Sequence, residues 1–163
     1  MHVLVTYGTK MGGTAEIAKR IANTLTEEHF SVTLRSAKDI EHPEEFDAVV
    51  LGSSIYASRW RRDAIGILRQ LSRADFARPI WLFHSGPIGD DQADDPQPFP
   101  AKVERLAANL HVMGRTTFGG RLPEEASGYI ARSMVKQGRA GDWRDFGQIE
   151  VWAKDIAAEL GRQ

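Results

Sequence analysis

The chain has 163 residues, a net charge of -1, 42% hydrophobic residues and no cysteine. That length suits one domain with a real core, 1–163, and the lack of cysteine excludes disulfides, cysteine-ligated clusters and thiol nucleophiles. The near-zero charge gives no drive toward nucleic acid; no apolar run reaches membrane-span length and no secretory signal opens the chain, so a cytoplasmic protein is expected.

In chain order, strands alternate with helices. His2 to Tyr7 reads as a buried strand, and apolar residues Ala15, Ile17, Ala18, Ile21, Ala22 and Leu25 then recur at helical spacing, predicting a helix from Gly13 to Glu28. Ser31 to Arg35 is a half-polar strand that belongs at or near a sheet edge, and the polar Ala37 to Glu45 follows. Phe46 to Gly52 is a continuous apolar run of the kind that is covered on both faces. Ala64, Ile65, Ile67, Leu68 and Leu71 mark a second helix, and Pro79 to His84 a fourth strand. Ser85 to Pro100, rich in proline and aspartate, is a long loop; Asp90, Asp91, Asp94 and Asp95 lack the spacing of a calcium loop and read as a solvated acidic stretch. A helix over Ala101 to Asn109, a strand near Arg115 to Gly119, a short helix over Tyr129 to Lys136, a Gly138–Gly141 turn and a final amphipathic helix through Ile149, Trp152, Ile156 and Leu160 complete the chain. Asp142 or Asp145 is expected to cap that last helix, with the nearby aromatics pinning it to the sheet.

Such alternation predicts a parallel α/β sheet with helices on both faces and ligands at the carboxyl ends of the strands. Three loops fall there: Gly8 to Thr14, Ser53 to Arg61, and Ser85 to Asp95. The first is a glycine-rich turn from a strand into a helix N-terminus, which favours an anion because the first N–H groups of a helix lack internal partners. Thr9 and Thr14 add hydroxyls, while a plain turn capped by Thr14 is the alternative. Gly8 and Gly13 have Walker A spacing, but Thr14 and Ala15 stand where Lys-Ser/Thr belongs. The Gly-x-Gly-x-x-Gly fingerprint is absent from this loop, and no paired acids follow the first strand as a phosphoacceptor requires.

Thr9-Lys10-Met11-Gly12-Gly13-Thr14 resembles the flavodoxin phosphate loop Thr-x-Thr-Gly-x-Thr, with Met11 at the middle threonine. Gly52-Ser53-Ser54-Ile55-Tyr56, Trp81 to Gly89, Phe118 to Leu122 and Gly141 to Phe146 also resemble the flavodoxin-domain family, which includes short flavodoxin-type menaquinone-dependent protoporphyrinogen oxidase. The resemblance implies a flavodoxin-like three-layer sandwich with a five-stranded parallel sheet of order 2-1-3-4-5; flavodoxins are the type case of that order, with FMN at the point where it reverses. It implies FMN, with a deazaflavin as the alternative, its phosphate on Thr9, Lys10, Met11, Gly12, Gly13 and Thr14. The ring would lie between Ser53, Ser54, Ile55, Tyr56 and Ala57 on one side and Ser85, Gly86, Pro87, Ile88 and Gly89 on the other. Tyr56 is a candidate to cover a ring face; Trp60, set among Arg59, Arg61 and Arg62, reads as part of a solvent-facing segment or of a receptor for an anionic substrate. His84 reads as a hydrogen-bonded strand-end histidine or a proton relay.

No residue pair compels general acid–base catalysis, so no catalytic side chain is assigned and the flavin would carry the chemistry. The expected function is an oxidoreductase passing electrons from a small-molecule donor, protoporphyrinogen among them, to a quinone-like or other acceptor, with room for peripheral membrane contact. The alternatives are an electron carrier between redox protein partners and a domain that has lost the cofactor.

Overall fold

A computed structural model describes residues 1–86, 97–122, 129–136 and 141–163. Five long parallel strands form the sheet: β1 (His2–Gly8), β2 (Ser31–Ser36), β3 (Ala48–Tyr56), β5 (Ile80–Ser85) and β6 (Val112–Phe118). A two-residue strand, β4 (Arg59–Trp60), pairs antiparallel with the end of β3. The order is β2-β1-β3-β5-β6, which is the expected 2-1-3-4-5 once β4 is set aside. The half-polar β2 is at an edge, and none of its residues is buried.

Alternation along the strands builds the layers, because successive side chains leave a strand on opposite faces. Val3, Val5 and Val50 point to one face, where Ile17, Ile21 and Leu25 of α1 (Gly13–Glu27) and Ile149, Ile156 and Leu160 of α5 (Phe146–Gly161) cover them. Leu4, Val49 and Leu51 point to the other, against Ile67, Leu68 and Leu71 of α2 (Arg62–Arg73) and Val103 of α3 (Ala101–Ala107). A short helix, α4 (Tyr129–Lys136), lies where the sequence predicts it.

Several boundaries move. The third strand begins at Ala48 rather than Phe46 and runs on to Tyr56, so Ser53 to Tyr56 are strand, not loop. The expected Ser53–Arg61 loop is a β-hairpin: Tyr56 pairs with Arg59 across Ala57 and Ser58, whose φ values of 50° and 59° are left-handed. Such primed turns match the twist of the flanking strands, although neither residue is the usual Asn or Gly. Ala37–Asp39 and Pro43–Glu45 are single 3-10 turns. A second ladder, β7 (Arg121–Leu122) with β8 (Gly141–Asp142), has no counterpart in the sequence reading. The acidic stretch from Asp90 to Asp95 and Gly138 to Ala140 lie outside the described residues.

Asp145 is the cap of α5, accepting a hydrogen bond from the Gln148 amide at 3.1 Å. Asp142 instead accepts from Arg144 at 2.7 and 2.9 Å. Trp152 pins α5 to the sheet, its ring 6.0 Å from Phe83 and 5.6 Å from Phe118. Among the described residues no helix is long and apolar enough to cross a membrane.

Candidate functional site

Strand register sets a line of residues across the carboxyl edge of the sheet. Gly8 stands opposite Ser53, Ser53 opposite His84, and His84 opposite Thr117. One residue further on, Ser54 stands opposite Ser85, and Ser85 opposite Phe118. The three expected segments therefore meet at one edge.

The first segment turns into α1 through Gly12, at φ 84°. A left-handed residue with a side chain is strained there, so glycine is the fitting choice. The Thr9 hydroxyl accepts from the Gly12 amide at 3.0 Å and holds the turn. Gly12 is the residue at the cap position and no side chain caps the helix, so Thr14 is not the cap that an ordinary turn would need. Thr14 is buried, and its hydroxyl shares a hydrogen bond with the Ser85 hydroxyl at 2.7 Å. The phosphate-loop candidate is thereby tied to the β5 end.

Thr9, Met11, Gly13, Thr14, Ser54, Ile55, Tyr56 and Ser85 line one recess, joined by Gly120 and Arg121. Its cavity is about 10 Å³, room for a water and not for a flavin ring. The Ser54 hydroxyl is buried here with no hydrogen-bond partner among the described residues. A buried donor left unmatched costs about 1–3 kcal/mol, and the Thr6 hydroxyl, which does not line the recess, is in the same state among the described residues. Tyr56 donates to the Met11 sulfur at 3.9 Å, and the Lys10 ammonium sits 5.4 Å from its ring centre. Burial pushes the Tyr56 phenol above its usual range, against the opposing charge of Arg61.

Five further candidates stand outside the recess: Lys10, Gly12, Ser53, Ala57 and Gly86. Ser53 is fully engaged in the hairpin, donating to the Ser54 carbonyl at 2.8 Å and accepting from the Arg61 amide at 2.9 Å. Gly86 has φ 150°, and a Cβ there would lie 2.7 Å from Ile55. Its amide donates to the Phe118 carbonyl at 2.9 Å. Pro87, Ile88 and Gly89 lie outside the described residues.

Arg121 was not among the sequence candidates. Its strand β7 lies over the start of α1, so that a Cβ on Gly13 would be 3.3 Å from the Arg121 Cβ. The Gly119-Gly120 pair before it was the available signal: a Cβ on Gly119 would be 2.0 Å from the Trp143 carbonyl oxygen, and the Trp143 amide donates to Gly120 at 3.0 Å. Arg144 braces the same helix end. It donates to the Gly13 carbonyl at 3.3 Å and to the carboxylates of Glu16 and Asp142, with its side chain only 5% exposed. The guanidinium holds the Asp142 carboxyl below its usual range.

Trp60 is not solvent-facing. It is 6% exposed, because β4 turns the indole inward while the flanking arginines turn out. Its N–H donates to His84 Nδ1 at 3.1 Å. His84 Nε2 lies 3.2 Å from the Gln97 carbonyl and 2.9 Å from the Thr117 hydroxyl, and Phe99 stacks on the ring at 4.2 Å. An indole only donates and a carbonyl only accepts, so His84 is neutral with its proton on Nε2. Burial pushes its pKa down to about 4. Of the two readings, hydrogen-bonded strand-end histidine and proton relay, this geometry favours the first.

A sequence profile of the Flavodoxin domain matches residues 4–142. No curated protein matches the chain in sequence. Among solved structures, oxidised flavodoxin 2 from Bacillus cereus is similar, at 17% identity and TM-score 0.63, over 98% of this chain and 99% of that one. A flavodoxin from the domain Archaea is 15% identical with TM-score 0.60, over 99% of both chains. A flavoprotein from Lactobacillus acidophilus, solved in complex with FMN, is 13% identical with TM-score 0.53, over 71% of this chain and 92% of that one. At these identities the structures speak to the fold.

Proposed function

The chain belongs to the flavodoxin domain family, and from that premise we propose that it binds FMN at the carboxyl edge of the sheet and transfers electrons. The observation that carries this is the recess itself. The uncapped start of α1, the unmatched Ser54 hydroxyl and the guanidinium-bearing Arg121 converge on it. A phosphate matches that set of donors, since helix N-termini and arginine both favour it. The FMN complex of the Lactobacillus flavoprotein supports the choice of cofactor.

In this reading the α1 amides, Thr9 and Arg121 hold the phosphate. Ser54 donates to a polar atom of the cofactor. Tyr56, fixed against Met11 and beneath Lys10, offers its ring as one wall. The hairpin and the Gly86 turn set the width of the ring site, Ile55 packing against Gly86. Bound FMN supplies one- and two-electron chemistry, so the protein has to bind, orient and exclude water without an acid–base pair of its own.

The donor is proposed to be a small molecule. The net charge of -1 lacks the strong acidity that steers a carrier to basic protein partners. Protoporphyrinogen is the donor to test first, with a quinone as acceptor. The FMN-loaded protein should oxidise such a donor without a protein partner; strict dependence on a redox protein would favour the carrier reading. Parallel titration with FMN and a deazaflavin separates the two cofactors.

A further inference from the structure

A second concavity shares no lining residue with the recess. It has a volume of about 660 Å³, and Arg59, Arg62, Arg69 and Lys102 line it. Trp60 and Ile65, both buried, form its apolar part together with Pro100. Among the described residues no aspartate or glutamate lines it, and none of the four cations makes an ion pair. Among the described residues the hollow therefore carries four cations and no carboxylate, and the positive field of such a cleft favours an anionic ligand.

The spacing narrows the ligand. Arg62, Ile65 and Arg69 lie on one face of α2, and seven residues of helix separate the two arginines by roughly 10 Å along the axis. Arg59 comes from the hairpin and Lys102 from α3, so the cations stand around the opening and not at one point. A single phosphate is too small to reach them. The volume is that of a site for a small organic molecule.

We propose that this hollow binds an elongated organic polyanion, carrying phosphate or carboxylate groups at two separated points and an apolar body between them. The apolar body lies on Pro100 and the small exposed edges of Trp60 and Ile65, and the acid groups take the guanidinium forks. Because the hairpin also carries Tyr56, the ligand is held next to the proposed flavin site. The site itself does not depend on FMN being bound.

The test is calorimetric titration at low salt, on the protein as purified and again with excess FMN. The probes are NADP⁺ for a phosphate ligand, suberate for a dicarboxylate, and inorganic phosphate for a single group. At least one of the first two is expected to bind about tenfold or more tightly than inorganic phosphate. Arg62→Gln and Arg69→Gln, exposed or half-exposed changes that keep a good helix former, should each weaken it about tenfold. Arg73→Gln, on the same helix but outside the hollow, should change it less than about twofold. NADP⁺ alone binding identifies a phosphate ligand, and suberate alone a carboxylate one. Failure of both probes to exceed inorganic phosphate would overturn the proposal. Equal losses in all three variants would also overturn it, since they would mark a diffuse field and not a site. Failure to take up FMN would count against the flavin reading and leave this outcome readable.

Discussion

The Trp60 indole N–H donates to His84 Nδ1 at 3.1 Å, a bond that only the neutral ring can accept, and burial of the ring keeps this histidine at the carboxyl edge neutral. A protonated His84 would turn a second N–H toward the indole. With its folded pKa lowered to about 4 from 6.5, the native state binds fewer protons than the unfolded chain between those values. Stability is therefore full above pH 6.5 and falls as pH drops through that window to 4, by roughly 2–3 kcal/mol. Urea unfolding across pH 4 to 7 should show that slope. His84→Gln, which can accept from Trp60 and donate to Gln97, should flatten it. Parallel slopes in both proteins would assign the acid sensitivity elsewhere.

Arg121 should matter to the phosphate and not to the ring. Arg121→Gln is expected to weaken FMN by about 1.5–3 kcal/mol and to leave riboflavin affinity unchanged. Fluorescence titration with both flavins checks it. Equal losses for the two would mean that Arg121 only shapes the fold.

Much of the architecture was legible in the sequence. Continuous apolar strands and 3.6-residue periodicity announced the parallel sheet, the resemblance its order, and α4 falls where its pattern placed it. The hairpin was not legible, because Ala57-Ser58 lacks the glycine or asparagine that advertises a primed turn. Trp60 was misread because three arginines surround it in sequence, although alternation on a two-residue strand sends the indole inward. Arg121 reaches Gly13 only through tertiary folding, and the Gly119-Gly120 pair before it signals a close backbone approach without saying to what.

The hairpin turn stores strain that can be released. Two non-glycine residues with left-handed φ each cost about 1–2 kcal/mol relative to residues suited to it. The double change Ala57→Asn with Ser58→Gly should stabilise the protein by about 1 kcal/mol, read as a higher urea midpoint with an unchanged slope. A lower midpoint would mean that Ala57 or Ser58 makes contacts worth more than the strain.

Arg144 locks the segment after β8 to the start of α1 through the Gly13 carbonyl, Glu16 and Asp142. Arg144→Met should cost roughly 1–3 kcal/mol, since the guanidinium is nearly buried while its carboxylate partners can return to water. Arg144→Lys keeps the charge but loses the fork, and it should recover less than half of that loss. Thermal unfolding of the three proteins provides the comparison, and full recovery by lysine would show that charge alone suffices.

FMN at this edge of the sheet can be tested on the protein alone. The most direct measurement is a titration of the purified, flavin-free protein with FMN, followed by flavin fluorescence and the visible band. Saturable one-to-one binding is expected, with a Kd of about 1 μM or below, near -8 kcal/mol, and a shifted or quenched flavin signal. Unchanged spectra at FMN concentrations well above that would contradict it.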